Sequence, residues 1–233
     1  MKILRLSSKE IQKLYERYYY NKKRVTEKVR KIVDDVREDG DRALLKYTRR
    51  FDKVKLSVKD LKVRDNEING AYQNIDTGFI EDLKSIINNI EKFHRRQLPK
   101  SWKIKKTEGV QLGEIFRPVE SVGVYVPAGT APLVSSVYMS VLPARIAGVK
   151  RIILATPPTK FGTVDPHILA VANLLKVNEV YKVGGAQAIA ALAFGTKTVP
   201  KVDKIVGPGN DYVTEAKRQV YGYADIDMLA GPS

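Results

Sequence analysis

The chain contains no cysteine, so disulfide bonds and thiolate metal sites are excluded. Histidine is also scarce, with 2 residues in 233. No apolar run reaches the roughly eighteen residues that a membrane span needs. Residues 1–7 lack the long apolar segment of a signal peptide. These absences predict a globular protein with no membrane partner, and the lack of cysteine is compatible with the cytoplasmic location that we expect.

Acidic residues are in the minority, and the formal net charge is +15. Residues 1–120 hold 30 Lys and Arg against 19 Asp and Glu, whereas residues 121–233 hold 11 against 7. A basic half of this kind could contact nucleic acid or another anionic partner. However, bases and acids are interspersed over residues 28–38, which is typical of a solvated helix face. We therefore predict no nucleic-acid partner.

Glycine and proline are rare before residue 120, which holds 5 of the 16 glycines and 2 of the 11 prolines. This shift predicts an N-terminal arm (1–24), a mainly helical first part of an α/β domain (25–119) and a Rossmann-like domain (120–233). Apolar spacing and capping residues predict helices from Val25 to Arg37, from Asp41 to Phe51 and from Asp76 or Thr77 to about Gln97. Gly40 is predicted to end the first of these helices, and Asp41 to be the N-cap of the second. Residues 109–119 are predicted to be extended.

The second part alternates β-rich runs with helical runs. Strands are predicted over residues 121–126, 151–155, 179–183, 204–206 and 225–229, and helices over 134–148, 166–176, 186–194 and 211–221. Pro143 is expected to kink or interrupt the first of these helices. Repeated strand–helix–strand units imply right-handed crossovers and a parallel sheet. We therefore predict an α/β fold in which a helical N-terminal region precedes an incomplete Rossmann-like parallel sheet with flanking helices.

Ligands of such sheets bind beyond the carboxyl ends of the strands, where three glycine-bearing loops are expected. Tyr125 lies near the end of the first strand and could face a ligand or fill the layer between sheet and helix. Gly184 and Gly185 permit close backbone approach to a ligand, and the following helix directs N–H groups towards it. Gln187, in the first turn of that apolar and therefore buried helix, could bind a ligand or simply cap.

The third loop is Gly-Pro-Gly-Asn at 207–210. Asn210 is well placed as an N-cap, and the same position could hold a ribose or a phosphate. The loop matches only the first three positions of the G-x-G-x-x-G fingerprint, so it does not indicate a standard Rossmann site.

Candidates for acid–base chemistry are few. His94 and His167 have no partners at metal-ligand spacing and are interpreted as structural or solvent-exposed. Phe93, next to His94, is expected to face the core. Asp225 and Asp227 alternate along the last strand, so both should point to one face, towards either solvent or the site. No Ser/His/Asp arrangement can be argued.

The chain resembles the histidinol dehydrogenases, specifically the N-terminal half of these enzymes. The matching segments cover nearly the whole chain: 36–41, 47–52, Phe93-His94 with Gln97, 123–127, 144–149, 184–196, 202–210 and 226–233.

The resemblance implies an NAD-dependent and zinc-dependent oxidoreductase of histidine biosynthesis, working as a homodimer. It would oxidise L-histidinol to L-histidine in two successive hydride transfers. It also implies that Tyr125, Gln187 and Asn210 contact the cofactor and that Ser233 contacts the substrate.

The chain departs from the family pattern at two points. Ala128 stands where the family has a second glycine, which we expect to be tolerated. The chain also stops at Ser233, within the family's Ala-Gly-Pro-Ser-Glu motif. The catalytic half, with the zinc ligands and the catalytic glutamate and histidine, is therefore expected to be missing, and this chain alone to be inactive. The alternatives are a dehydrogenase of the same family for another small alcohol, or a non-catalytic split-gene remnant or basic binding module.

Overall fold

The computed structural model describes residues 7–128 and 132–229. The first part is helical, as predicted. It comprises α1 (Ser8–Asp39), α2 (Asp41–Phe51), α3 (Asp65–Ala71) and α4 (Thr77–Arg95), with single 3₁₀ turns at Val58–Asp60 and Tyr72–Asn74. The start predicted for the first helix at Val25 was wrong, because α1 begins at Ser8. Residues 8–24 include four Lys, two Glu and two Arg, which favour helix without a strict apolar period.

The junction of α1 and α2 differs from the predicted cap. Gly40 has φ +54°, a conformation that suits glycine, and it ends α1 as expected. Asp41, predicted to cap α2, makes no capping hydrogen bond. Its Oδ1 instead accepts a 2.5 Å hydrogen bond from Thr196, and its Oδ2 accepts one of 2.6 Å from Thr198. The carboxylate therefore ties α2 to a loop far along the chain, a contact that local sequence does not reveal.

Helix α4 has the predicted start and a shifted end. Asp76 caps it by accepting the N–H of Phe79 at 3.3 Å, and the helix ends at Arg95 rather than near Gln97. Phe93 was predicted to face the core but is 62% exposed, so that prediction was wrong. Within the helix, Leu83 is the fully buried side chain, which shows that α4 packs over its middle rather than its C-terminal turn.

An antiparallel hairpin joins the helical part to the sheet. It consists of β1 (Trp102–Thr107) and β2 (Val110–Glu114), and the side chains of both strands are exposed. The extended segment predicted over 109–119 contains β2, whereas β1 was not predicted.

A five-stranded sheet follows, with strand order β5-β4-β3-β6-β7 and every neighbouring pair parallel. Its strands are β3 (Ser121–Tyr125), β4 (Arg151–Thr156), β5 (Glu179–Lys182), β6 (Lys204–Val206) and β7 (Asp225–Ile226). The connecting helices are α5 (Val134–Ile146), α6 (Pro166–Leu174), α7 (Gly185–Phe194) and α8 (Asp211–Val220). The predicted α/β fold with a parallel sheet is confirmed. Helix α5 continues through Pro143 without interruption.

Apolar layers cover both faces of this sheet. One buried cluster joins α1, α2, α7 and α8 to one face, and a second joins α3, α4, α5 and α6 to the other. Helix α7 is buried along almost its whole length, as its all-round apolar sequence predicts. The N-terminal helices therefore complete the core of the sheet. In the described part of the chain, no helix is both long and apolar enough to cross a membrane.

Candidate functional site

A cleft of about 560 Å³ opens beyond the carboxyl end of β3, between the starts of α7 and α8 on one side and α1 and α2 on the other. Its size lies within the roughly 300–1,000 Å³ of small-molecule sites. The predicted residues Tyr125, Gln187 and Asn210 all line it. The side of the cleft that α1 and α2 form was not predicted from the sequence. Its described lining residues are Lys28, Lys31, Ile32, Tyr47, Arg50, Phe51 and Asp52.

Tyr125 combines the two roles considered for it. Its ring is buried, so it fills the layer between sheet and helix. Its hydroxyl oxygen accepts the backbone N–H of Gly185 at 3.1 Å, at the start of α7. Burial raises the pKa of Tyr125 to about 12, so the hydroxyl, already protonated at neutral pH, stays protonated in alkaline solution as well. The tyrosine therefore fixes the glycine loop and retains an O–H group at the cleft.

Gln187 is a buried polar residue at the mouth of an apolar helix. Its side chain is 1% exposed, and its Oε1 has no hydrogen-bond partner within residues 7–128 and 132–229. An unpaired buried amide oxygen costs about 1–3 kcal/mol, so such atoms are expected to have a use. The neighbouring Gly185 has φ +63°, and a Cβ at Gly184 would lie 2.6 Å from Pro157. The loop thus brings backbone, helix N-terminus and an unpaired acceptor together.

Asn210 is the N-cap of α8, as its position suggested. Its Oδ1 accepts the backbone N–H groups of Tyr212 at 3.1 Å and Val213 at 3.2 Å. Because the oxygen is used for capping, the Nδ2 amide is the part of the side chain that can serve a ligand. The capping and ligand-binding interpretations are therefore compatible.

A partly buried ion pair holds the loop that leads to Asn210. Lys217 Nζ donates to the carbonyl of Gly207 at 2.5 Å and to Asp227 Oδ1 at 2.6 Å. Asp227 Oδ2 in turn accepts the N–H of Gly207 at 2.8 Å. Asp227 therefore faces the site loop, whereas Asp225 binds Lys204 at 2.5 Å. Alternation along the strand could not reveal Lys217, which comes from the preceding helix, α8.

His94 and His167 are not among the described residues that line this cleft. His94 Nδ1 is 2.6 Å from Gln97 Oε1. The ring of His167 packs edge-on against Phe79, and its Nδ1 lies 3.0 Å from Asp165. Within the described residues, no group of three or more His, Asp or Glu side chains is placed to hold a metal ion. Ser233, predicted to contact substrate, lies outside the described residues.

Comparisons with known proteins agree on one family. A family model described as histidinol dehydrogenase matches residues 15–233. A histidinol dehydrogenase from Clostridium acetobutylicum is 50% identical over 97% of this chain and 52% of its own length, and one from Carboxydothermus hydrogenoformans is 48% identical over 100% and 54%. The crystal structure of the enzyme from Elizabethkingia anophelis matches with a TM-score of 0.84 and 39% identity, covering 100% of this chain and 50% of that one. The chain thus spans about half the length of these relatives.

Proposed function

Because the chain belongs to the histidinol dehydrogenase family, we propose that its cleft binds NAD within an enzyme that oxidises L-histidinol to L-histidine. The oxidation would proceed by two successive hydride transfers, at the end of histidine biosynthesis. The observation that carries the proposal is the convergence of Tyr125, Gln187 and Asn210 on one cleft, with an unpaired acceptor at Gln187. Thr48 Oγ1 and Thr156 Oγ1 are also buried without a partner in the described residues, but these threonines lie outside the cleft, whereas Gln187 lines it.

The cleft's own groups fit a dinucleotide. NAD, when bound, supplies the carbon that accepts the hydride. Gln187 offers an acceptor, Asn210 offers amide N–H groups, and Tyr125 offers a neutral hydroxyl. The N-terminus of α7 provides backbone N–H groups and the positive end of a helix dipole, both of which favour phosphate. Together these groups would bind and orient the cofactor.

Zinc chemistry does not fit the described residues, which hold no cluster of suitable ligands. We therefore derive no step through zinc from this chain. We propose that zinc binding and proton transfer belong to other parts of the full-length enzyme, and that Ser233 contacts the substrate. The family resemblance also supports a homodimeric, cytoplasmic full-length enzyme.

The proposal is tested first by the chain alone. With NAD, zinc and L-histidinol present, we expect no NADH absorbance, because the ligands for zinc are not among the described residues. Steady, zinc-dependent NADH formation would overturn this part.

Cofactor binding is tested by titrating the chain with NAD and comparing Gln187→Ala with Gln111→Ala. Gln111 is an exposed glutamine on β2, away from the cleft, and serves as the matched control. We expect the Gln187 variant to raise Kd about tenfold, the equivalent of about one hydrogen bond. Equal NAD affinity in both variants would contradict the assignment of the cleft.

A further inference from the structure

Asp52 is a half-buried carboxylate that the assigned cofactor contacts leave unused. It follows the last residue of α2, and its backbone N–H donates to Thr48 O at 2.9 Å. Its Oδ2 is buried and has no hydrogen-bond partner within the described segments. Partial burial raises the pKa of Asp52 to about 6, which is still below neutral pH, so most of the carboxyl is ionised there. Such a group is costly unless something pairs with it.

The position of Asp52 indicates what could pair with it. It lines the same cleft as Gln187, whose Oε1 is likewise buried without a partner in the described part; the other two such atoms, Thr48 Oγ1 and Thr156 Oγ1, belong to residues that do not line the cleft. Two acceptors without donors require a ligand that brings donors, such as hydroxyl or amino groups. No donor within the described residues forms a hydrogen bond with Asp52 Oδ2 or Gln187 Oε1.

The charge around the cleft narrows the choice of ligand. Lys28 and Lys31 from α1 and Arg50 from α2 line the cleft, and Asp52 is the acidic residue among its described lining residues. The side chain of Lys31 is 74% exposed, and its Nζ lies as far as 4.0 Å from Asp35 Oδ1. Its positive charge is therefore solvated and not held in a close ion pair. A cationic ligand would meet this basic wall unfavourably. An anion that also carries hydroxyl donors satisfies both features, and a nucleotide, with phosphates and a ribose, is such a ligand.

We propose that Asp52 accepts a hydrogen bond from the adenosine ribose hydroxyls of the dinucleotide and thereby selects NAD over NADP. This inference rests on the proposed cofactor role of the cleft. A carboxylate bonds well to a ribose 2′-hydroxyl. A 2′-phosphate at the same place would face the carboxylate as a like charge and would also remove the donor.

The test measures Kd for NAD and for NADP in the 233-residue chain and in Asp52→Asn. The change keeps the shape of the side chain and removes its charge. We expect NAD binding to weaken about tenfold, the scale of a hydrogen bond to a charged group. NADP binding should stay equal or tighten, so the NAD:NADP preference falls at least tenfold. A role in folding alone would weaken both cofactors equally, and that result would overturn the inference.

Asp34→Asn is the matched control, because Asp34 is an exposed aspartate on α1 outside the cleft. It makes the same change in net charge and should leave both Kd values unchanged. If Asp52→Asn does not fold, judged by circular dichroism, Asp52→Ser is measured in its place with the same expectations.

The outcomes separate the two proposals. If the unaltered chain binds neither cofactor, the proposed cofactor site fails. If it binds NAD but Asp52→Asn keeps the same NAD:NADP preference, the cofactor site stands and the role of Asp52 fails. If Asp52→Asn weakens binding of L-histidinol while leaving NAD binding unchanged, Asp52 pairs with a substrate ammonium, which also overturns the inference.

Discussion

The ammonium of Lys217 lies 2.6 Å from the carboxylate of Asp227, beneath the glycine loop that leads to α8. Lys217 also donates to the carbonyl oxygen of Gly207, and Asp227 accepts the backbone N–H of the same glycine. This pair connects β7 and α8 to the loop that ends at Asn210. The position of the proposed cofactor contact therefore depends on an ion pair outside the cleft.

We expect Asp227→Ala to destabilise the chain by about 3–5 kcal/mol, because it leaves a buried ammonium without its partner. Lys217 is only 3% exposed, whereas Asp227 is 29% exposed. Lys217→Met should cost less, since the remaining carboxylate can be hydrated. Asp225→Ala removes an exposed pair with Lys204 and should change stability by less than about 1 kcal/mol. Urea unfolding measures all three, and equal losses for Asp227→Ala and Asp225→Ala would contradict the role of the partly buried pair.

Gly207 should not tolerate a side chain. Its φ is +118°, and a Cβ would collide with the carbonyl oxygen of Tyr125. Gly222 has φ +97° but no atom within 4 Å of its Cβ position. Both alanine variants therefore introduce backbone strain, and Gly207→Ala adds the collision. We expect Gly207→Ala to lower the melting temperature more and to weaken NAD binding, while Gly222→Ala leaves binding intact. Identical effects at the two glycines would refute the close approach.

The raised pKa of Asp52 has a consequence for stability. The folded state holds this proton up to about pH 6, whereas the unfolded state releases it near 3.8. The contribution of Asp52 to stability is therefore fully present below about pH 4 and is lost as pH rises through 6. We expect Asp52→Asn to melt at a higher temperature than the unaltered chain at pH 7.5, with the gap closing towards pH 4.5.

Asp60 provides the opposite control for this measurement. Hydrogen bonds from Ser57 lower the pKa of Asp60, so its ionised form stabilises the fold. Asp60→Asn should lower the melting temperature at pH 7.5 and have less effect at low pH. If Asp52→Asn also lowered the melting temperature at pH 7.5, the ionised carboxyl of Asp52 would stabilise the fold. That result would contradict the absence of a hydrogen-bond partner for its Oδ2 within the described residues.

The single tryptophan reports on the exposed hairpin. Trp102 is 49% exposed, and its Nε1 donates to Glu114 at 3.1 Å across the two strands. We expect red-shifted emission and acrylamide quenching close to that of the chain in urea. The measurement is repeated at several protein concentrations. Blue-shifted, protected emission at low concentration would show that β1 and β2 pack against the body of the molecule.

Local features of the fold could be predicted from the sequence. Asn210 was identified as an N-cap, and the start of α4 was placed at Asp76 or Thr77, because the capping signal lies within three residues of the helix start. The buried helix α7 followed from its apolar composition. The parallel pairing among strands β3 to β7 also agrees with the alternation of strands and helices. In contrast, α3 was missed because its sequence, Asp-Asn-Glu-Ile-Asn-Gly-Ala, is short and contains weak helix formers.

Long-range contacts could not be predicted in the same way. The bond from Asp41 to Thr196 and Thr198 joins residues more than 150 positions apart. The wall of the cleft made by α1 and α2 depends on how these helices pack on α7 and α8. Tyr125, Gln187 and Asn210 were named from their loops and from the family resemblance. Asp52 could be recognised only from the structure, which places it in the same cleft as Gln187 with a buried, unpaired Oδ2.

The most direct test of the cofactor site is an NMR titration of the isotope-labelled chain with NAD, following backbone amides and the side-chain amides of glutamine and asparagine. We expect saturable shifts at the Gly185 amide and at the side-chain amides of Gln187 and Asn210, with the amides of β1 and β2 unmoved. If the signals of these three groups did not shift, or if the shifted signals belonged to residues on another surface, the assignment of the cleft as the NAD site would be contradicted.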